Sequence, residues 1–135
     1  TFQSIVLTDA TTPTPVNHTL VPQSNASGVA IVAESGTTKF GELRLEITPR
    51  YNRGPGQKLL ADVRLVKPMV VNETINGVTV AKVAWTDLFT GQFSFGYEST
   101  VQSRKDLVAM VASSLAASKP LLYDTLTKAE GIWGG

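Results

Sequence analysis

The chain contains no cysteine. Disulfides, thiolate nucleophiles and the usual cysteine-built zinc sites are therefore excluded, and the absence is equally compatible with a reducing cytoplasm. Histidine is almost as scarce: His18 is the only one, with no serine, aspartate or second histidine beside it in the sequence. It reads as a surface or turn-side histidine rather than a catalytic base. With one histidine and no cysteine, a zinc site would consist mostly of carboxylates, an uncommon donor set, so no metal is expected. Neither sign of charge dominates, since 12 Lys and Arg face 11 Asp and Glu for a formal charge of +1. A histone-like tail or a uniformly basic surface is excluded, and any contact with nucleic acid has to be local and patterned. Long apolar runs are missing too. No stretch approaches the ~18 to 20 residues that span a bilayer, and the opening Thr1-Phe2-Gln3-Ser4 has neither region of a signal peptide, so a soluble protein with no membrane partner is expected.

What is present fits one domain. A chain of 135 residues hides roughly 68% of the surface its unfolded form exposes. The expected organisation is a single domain over 1–135, with a β part over 1–97 and a helical part over 98–135. Short apolar or alternating stretches separated by Gly, Pro, Asn and Ser clusters predict strands at Ile5 to Leu7, His18 to Val21, Val29 to Glu34, Phe40 to Thr48, Lys58 to Val66 and Ala81 to Tyr97. The glycine-rich run Asn52 to Gln57 suits a hairpin turn. Leu43, Leu45 and Ile47 alternate with Arg44, Glu46 and Thr48; Ala61, Val63 and Leu65 with Leu60, Asp62 and Arg64; Phe89, Gly91, Phe93 and Phe95 with Leu88, Thr90, Gln92 and Ser94. That period of two predicts an antiparallel sheet with two chemically different faces.

Past Tyr97 the period changes. Leu107, Val108, Met110, Val111 and Leu115 form a helical stripe, with Ser103 and Asp106 as its capping pair. A second helix opens at Pro120, where a missing N–H costs nothing, carries Leu121, Leu122 and Leu126, and ends near Gly131. Two short helices are a thin cover for so large an apolar face. Helices reaching over a partner's sheet, with edge strands paired, would solve the coverage, so a homodimer is expected, with Leu107, Val111, Leu115, Leu121, Leu122 and Leu126 at its interface.

Catalytic constellations are absent. Ser35 to Lys39 and Gly54 to Lys58 superficially resemble phosphate loops but lack the required spacing, and turns explain both better. The sequons at Asn17, Asn25 and Asn72 are attributed to chance in a Thr-rich chain. Glu42, Glu46, Asp62 and Asp87 are expected to be solvated partners of Arg44, Arg50 and Arg64 rather than a catalytic pair. No enzyme activity and no cofactor are expected. There remains a polar face with Arg44, Thr48, Arg64, Thr90 and Gln92, flanked by Arg50, Arg53 and Lys58, of a kind that holds phosphates and reads unpaired bases. On the residues alone an ordinary solvated face is the simpler account. A β-domain binding a small apolar ligand between sheet and helices is the alternative function.

The run Val83 to Phe95, with Ser99-Thr100 and Arg104 to Val111 after it, resembles the coat proteins of leviviruses, the small single-stranded RNA bacteriophages. So do Ala116 to Trp133, Ser27-Gly28-Val29-Ala30 after Val21-Pro22, and Arg50-Tyr51-Asn52-Arg53. The resemblance covers nearly the whole chain in order, and its weight lies in the ordered set rather than in one motif. It implies an α+β fold: an N-terminal β-hairpin, an antiparallel sheet of about five strands, and two C-terminal helices over the partner subunit's sheet. It implies an icosahedral virion shell, subunits made in the bacterial host cytoplasm, and an inward sheet face that binds a genomic RNA hairpin as packaging signal and translational repressor. The RNA-facing residues would be Val29, Arg44, Glu46, Thr48, Leu60, Asp62, Arg64, Leu88, Thr90 and Gln92. The segment Pro68 to Val80 would be a loop gathered at symmetry axes. Leu60 and Asp62 stand where relatives place polar or basic groups, and Leu88 replaces a base-stacking aromatic, a contact worth ~1 to 3 kcal/mol per base.

Overall fold

The computed structural model describes residues 2–34, 41–51 and 58–129. They form two compact units, Thr1–Ser94 and Phe95–Gly135. The first is built on a six-stranded sheet: β1 (Ile5–Thr8), β2 (Asn17–Ser24), β3 (Ala30–Ala33), β4 (Arg44–Tyr51), β5 (Leu59–Ile75) and β6 (Val78–Phe95), in that spatial order. Every strand neighbours the next in sequence. The expected N-terminal hairpin is β1 with β2, and it continues the sheet because β2 also pairs with β3, through a register shift between Pro22 and Ser24. The expected turn over 52–57 lies outside the described residues, as does Phe40.

The loop expected over Pro68 to Val80 is a correction. β5 runs on to Ile75 and β6 starts at Val78, leaving only Asn76 and Gly77 to turn, at φ +50° and +79°. Two consecutive positive φ values make a two-residue hairpin turn whose twist matches the strands, and Asn-Gly is the pair best suited to it. Val70, Val71, Thr74 and Ile75 favour strand on the approach, and Lys82 Nζ lies 3.6 Å from Glu73 Oε2.

Among the described residues, Leu20, Val32, Ala33, Ala61 and Val66 are the buried apolar ones, with Leu20 fully enclosed. Leu20 faces Ile5 across the hairpin. On β6 the ring of Phe89 lies against Gly91, where a Cβ would come within 2.8 Å of it. A side chain at Gly91 would lift the aromatic off the strand.

The β1–β2 connection is tied by side chains. Asp9 Oδ1 accepts from the amides of Thr11 at 2.9 Å and Val16 at 2.8 Å. His18, expected as a plain turn-side residue, is held between Asp9 Oδ2 at 2.8 Å from Nε2 and Glu34 Oε2 at 2.7 Å from Nδ1. With a carboxylate oxygen facing each ring nitrogen, both contacts are donated at once only by the imidazolium, the form present below the His18 pKa. Hydrogen bonding to Asp9, then to Glu34, raises the His18 pKa, with desolvation opposing. His18, then the Val16 and Thr11 amides, hold the Asp9 carboxyl well below the usual carboxylate range.

In the second unit, α1 spans Val101–Ser114 and α2 spans Pro120–Thr127. The cap of α1 corrects the expected Ser103–Asp106 pair: Thr100 Oγ1 accepts from the Ser103 amide at 3.1 Å, while Asp106 takes the Gln102 side-chain amide at 2.8 Å. Ser103 is already inside the helix, so its contribution is its own N–H. Pro120 opens α2 as expected, but the helix stops at Thr127, with Lys128 as its cap and Ala129 at φ +53°. Gly131 lies outside the described residues. Leu115 caps the end of α1 rather than lying within it. Among the described residues no helix is long and apolar enough to cross a membrane.

Truncating Leu20 to alanine is expected to cost about 2–5 kcal/mol, as for other fully buried leucines, seen as a lower urea midpoint at unchanged slope. The His18 clasp makes stability depend on pH. Its raised pKa means the contribution is complete below the ordinary value of 6.5 and is lost as pH rises through the raised one. The lowered pKa of Asp9 means its contribution is present above the ordinary 3.8 and is lost as pH falls through the lowered one. Protection of the β1 amides should therefore weaken as the single histidine deprotonates in an NMR titration, and His18→Gln should abolish that dependence. Titration at the ordinary value with constant protection would contradict the clasp.

Candidate nucleic-acid interface

Strand register decides which side chains share a surface. β3 and β4 pair Val32 with Leu45 and Ala30 with Ile47, while β4 and β5 pair Leu45 with Leu65, Ile47 with Val63 and Pro49 with Ala61. Residues directly opposite on antiparallel strands point to the same side, so these form one continuous apolar face. The intervening pairs are Arg44 with Val66, Glu46 with Arg64, Thr48 with Asp62 and Arg50 with Leu60. They form the other face, which extends onto β3 at Ile31, opposite Glu46, and Ala33, opposite Arg44.

The amide of Gln92 donates to Asp62 Oδ1 at 2.8 Å, which brings β6 onto this polar face. Alternation along β6 then places Leu88 and Thr90 beside Gln92. Arg44, Glu46, Thr48, Leu60, Asp62, Arg64, Leu88, Thr90 and Gln92 thus share one surface. Val29 lies one residue outside β3, in extended backbone at the end of a 3-10 turn, Ala26–Gly28, with its amide on the Ala26 carbonyl at 3.2 Å.

The electrostatics of this face are internally paired. Arg50 Nη2 donates to Asp62 Oδ2 at 2.8 Å, and Arg64 Nη1 to Glu46 Oε2 at 3.3 Å. The expected pairing of acids with arginines therefore holds for Asp62 and Glu46. Arg44 differs: among the described residues it is in no ion pair, and its buried Nε has no hydrogen-bond partner. Three arginines against two carboxylates leave one positive charge on the paired strands, and Arg44 carries it unengaged.

Arg50 belongs to this site, although the sequence placed it only near the hairpin. Its separation of two from Thr48 was the available signal. Leu88 is 56% exposed, so an aliphatic side chain stands open on the polar face. The helical set belongs to the second unit: Leu107, Leu115, Leu121, Leu122 and Leu126 are exposed and Val111 half-buried. Among the described residues no cluster of three or more His, Asp and Glu can hold a metal ion. The His18 ring nitrogens are each turned to a separate carboxylate.

The levivirus coat protein family model matches residues 1–133. The capsid protein of Pseudomonas phage PRR1 is 33% identical over 132 residues, covering 98% of both chains. Among solved structures, the bacteriophage GA protein capsid superposes with a TM-score of 0.83 at 21% identity, covering 98% of each chain. An unassembled virus coat protein dimer, described as a bacteriophage RNA-binding dimer, superposes with a TM-score of 0.69 at 18% identity over 96% of each chain. The structural likenesses establish the six-stranded antiparallel sheet with two C-terminal helices as the fold, and the end-to-end match in sequence shows that this chain belongs to the levivirus coat protein family.

Proposed function

We propose that copies of this chain pair into dimers, that the dimers close into an icosahedral virion shell, and that the polar sheet face lies inward against single-stranded genomic RNA. The observation that carries this is the chemical split of the sheet, because each face asks for a different partner. The polar face offers arginines, hydroxyls and an amide at strand spacing, a surface suited to phosphates and unpaired bases. The apolar face is only partly covered within the first unit, which buries Val32 and Ala61 but leaves Ile47 exposed. A groove of about 380 Å³ between Phe2–Ile5 and Ala30, Val32, Leu45, Ile47 and Pro49 marks part of it. Leu107, Val111, Leu115, Leu121, Leu122 and Leu126 supply apolar surface of the matching kind, and crossing them between two subunits covers the apolar sheet face of each. The dimer and capsid relatives support this arrangement.

On this reading the RNA partner is a genomic hairpin, and binding it both marks the genome for packaging and represses translation. Leu88 offers no aromatic ring for a base to stack on, so polar and ionic contacts carry more of the recognition here. The role contains no catalytic step, and the subunit is made in the bacterial host cytoplasm before it enters the virion. The groove lies near the lower bound for a ligand pocket, which is what favours the second reading, a monomeric domain binding a small apolar ligand.

Electron microscopy of the protein expressed alone in bacteria, with nucleic-acid absorbance on the same fraction, separates the two readings. Uniform spheres with RNA are expected, whereas a monodisperse monomer without RNA would favour the ligand-binding domain. Arg44→Ala should lower the RNA content of the particles and flatten the salt dependence of binding by about 0.7 per lost phosphate contact. Arg64→Ala should do less, since Glu46 already holds that guanidinium. Unchanged RNA in both variants would remove this face from the RNA contact. Leu115→Asp places an unpaired charge in the proposed dimer contact at a cost of about 3–5 kcal/mol, and size exclusion should show no dimer. Normal shells from this variant would put Leu115 in solvent.

A further inference from the structure

Asp62 sits centrally on the polar face, opposite Thr48 on β4. One carboxylate oxygen takes Nη2 of Arg50 and the other takes Nε2 of Gln92, both at 2.8 Å. A guanidinium and an amide converging on two oxygens that share one negative charge is the arrangement with which proteins grip a phosphodiester. We propose that Asp62 is a built-in phosphate mimic, which occupies Arg50 and Gln92 until an RNA phosphate displaces it. The inference rests on the polar face being the RNA face, and it names the residue that sets how selectively that face binds.

Geometry makes displacement feasible. Arg50 and Asp62 side chains keep 51% and 38% of their surface exposed, and ion pairs so open to water are weak. A phosphate delivered in the right place can therefore replace the carboxylate, whereas a randomly placed strand meets a neutralised surface and repulsion from Asp62. Glu46 masks Arg64 in the same way through a longer contact of 3.3 Å. Of the three arginines on β4 and β5, Arg44 is the one that no carboxylate among the described residues masks, so it provides the constant attraction while Asp62 selects among the strands that Arg44 draws in.

The test uses assembled dimers and a fluorescein-labelled oligouridylate, a single strand with no designed hairpin. Asp62→Asn keeps the shape of the side chain and removes its charge. It should tighten binding about fivefold, the factor matching the upper strength of an exposed ion pair. It should also steepen the slope of log K against log salt by about 0.7 per protomer as Arg50 takes a phosphate. The gain should vanish in the double variant Asp62→Asn/Arg50→Ala, because the released arginine is its source. Asp106→Asn on α1 makes the same change in net charge at a carboxylate bonded only to Gln102 among the described residues, and should leave the affinity within twofold, about the ±0.5 kcal/mol of an ordinary surface substitution. If Asp62→Asn binds no tighter than Asp106→Asn while Arg44→Ala still loses affinity, the mimic is refuted and the RNA face stands. If Arg44→Ala and Asp62→Asn both bind like the unmodified chain, the RNA face itself is refuted, and the mimic with it.

Discussion

The antiparallel register of β4 against β5 is the constraint on which the rest depends. Side chains along a strand alternate between faces, so a slip of one residue would carry Arg44, Glu46 and Thr48 to the apolar side and Leu45 and Ile47 to the polar side. In the observed register Leu45 meets Leu65 and Ile47 meets Val63, while Glu46 meets Arg64 and Thr48 meets Asp62. Apolar contact on one side and opposite charge on the other specify the same pairing. Agreement between independent preferences of this kind is what separates one arrangement from its competitors. The extension onto β3 and β6 inherits the choice, since Val32 pairs with Leu45 and Gln92 bonds to Asp62.

A second consequence is how little of the apolar surface a single chain encloses. Leu20, Val32, Ala33, Ala61 and Val66 are buried, whereas Trp85 is 54% exposed, Leu121 67% and Leu126 64%. Apolar area left in water forgoes about 25 cal/mol for each Å² that could have been covered. β6, a strand of 18 residues, also stands last in the sheet order, and long edge strands invite pairing with another chain. Both features suit a protein whose final state is an assembly, and membership of a coat protein family gives that surplus surface its purpose.

The charged groups act on a different scale. Exposed ion pairs such as Arg50 with Asp62 contribute little to stability, because water competes for both partners. Their weakness is useful on a binding face, where partners have to be exchanged. The His18 clasp differs, since one imidazolium joins the β1–β2 connection to the end of β3 through two short contacts. Its strength depends on protonation, so the hairpin is held by chemistry that the rest of the sheet does not share.

Much of this architecture was legible in the sequence. The alternation over Leu43 to Thr48 and Leu60 to Leu65, the change of period after Tyr97 and Pro120 at a helix start led to the sheet, its two faces and both helices. Asn76-Gly77 was a strong hairpin signal too, although the family resemblance favoured a loop there. Arg44 to Gln92 share one face because strand parity is a local property. Partner choice is not local. Which arginine meets which carboxylate depends on register between strands far apart in the chain, so Arg50 with Asp62 and the solitary Arg44 could not be read from spacing. Asp9, His18 and Glu34 are separated by an entire hairpin and a strand, and only folding brings both carboxylates to one ring. The sequence by itself thus determined the elements and the chemistry of each face, since both depend on neighbours one or two residues away. Tertiary structure alone decided which charges are cancelled and which remain, because Coulombic pairing depends on distance in space.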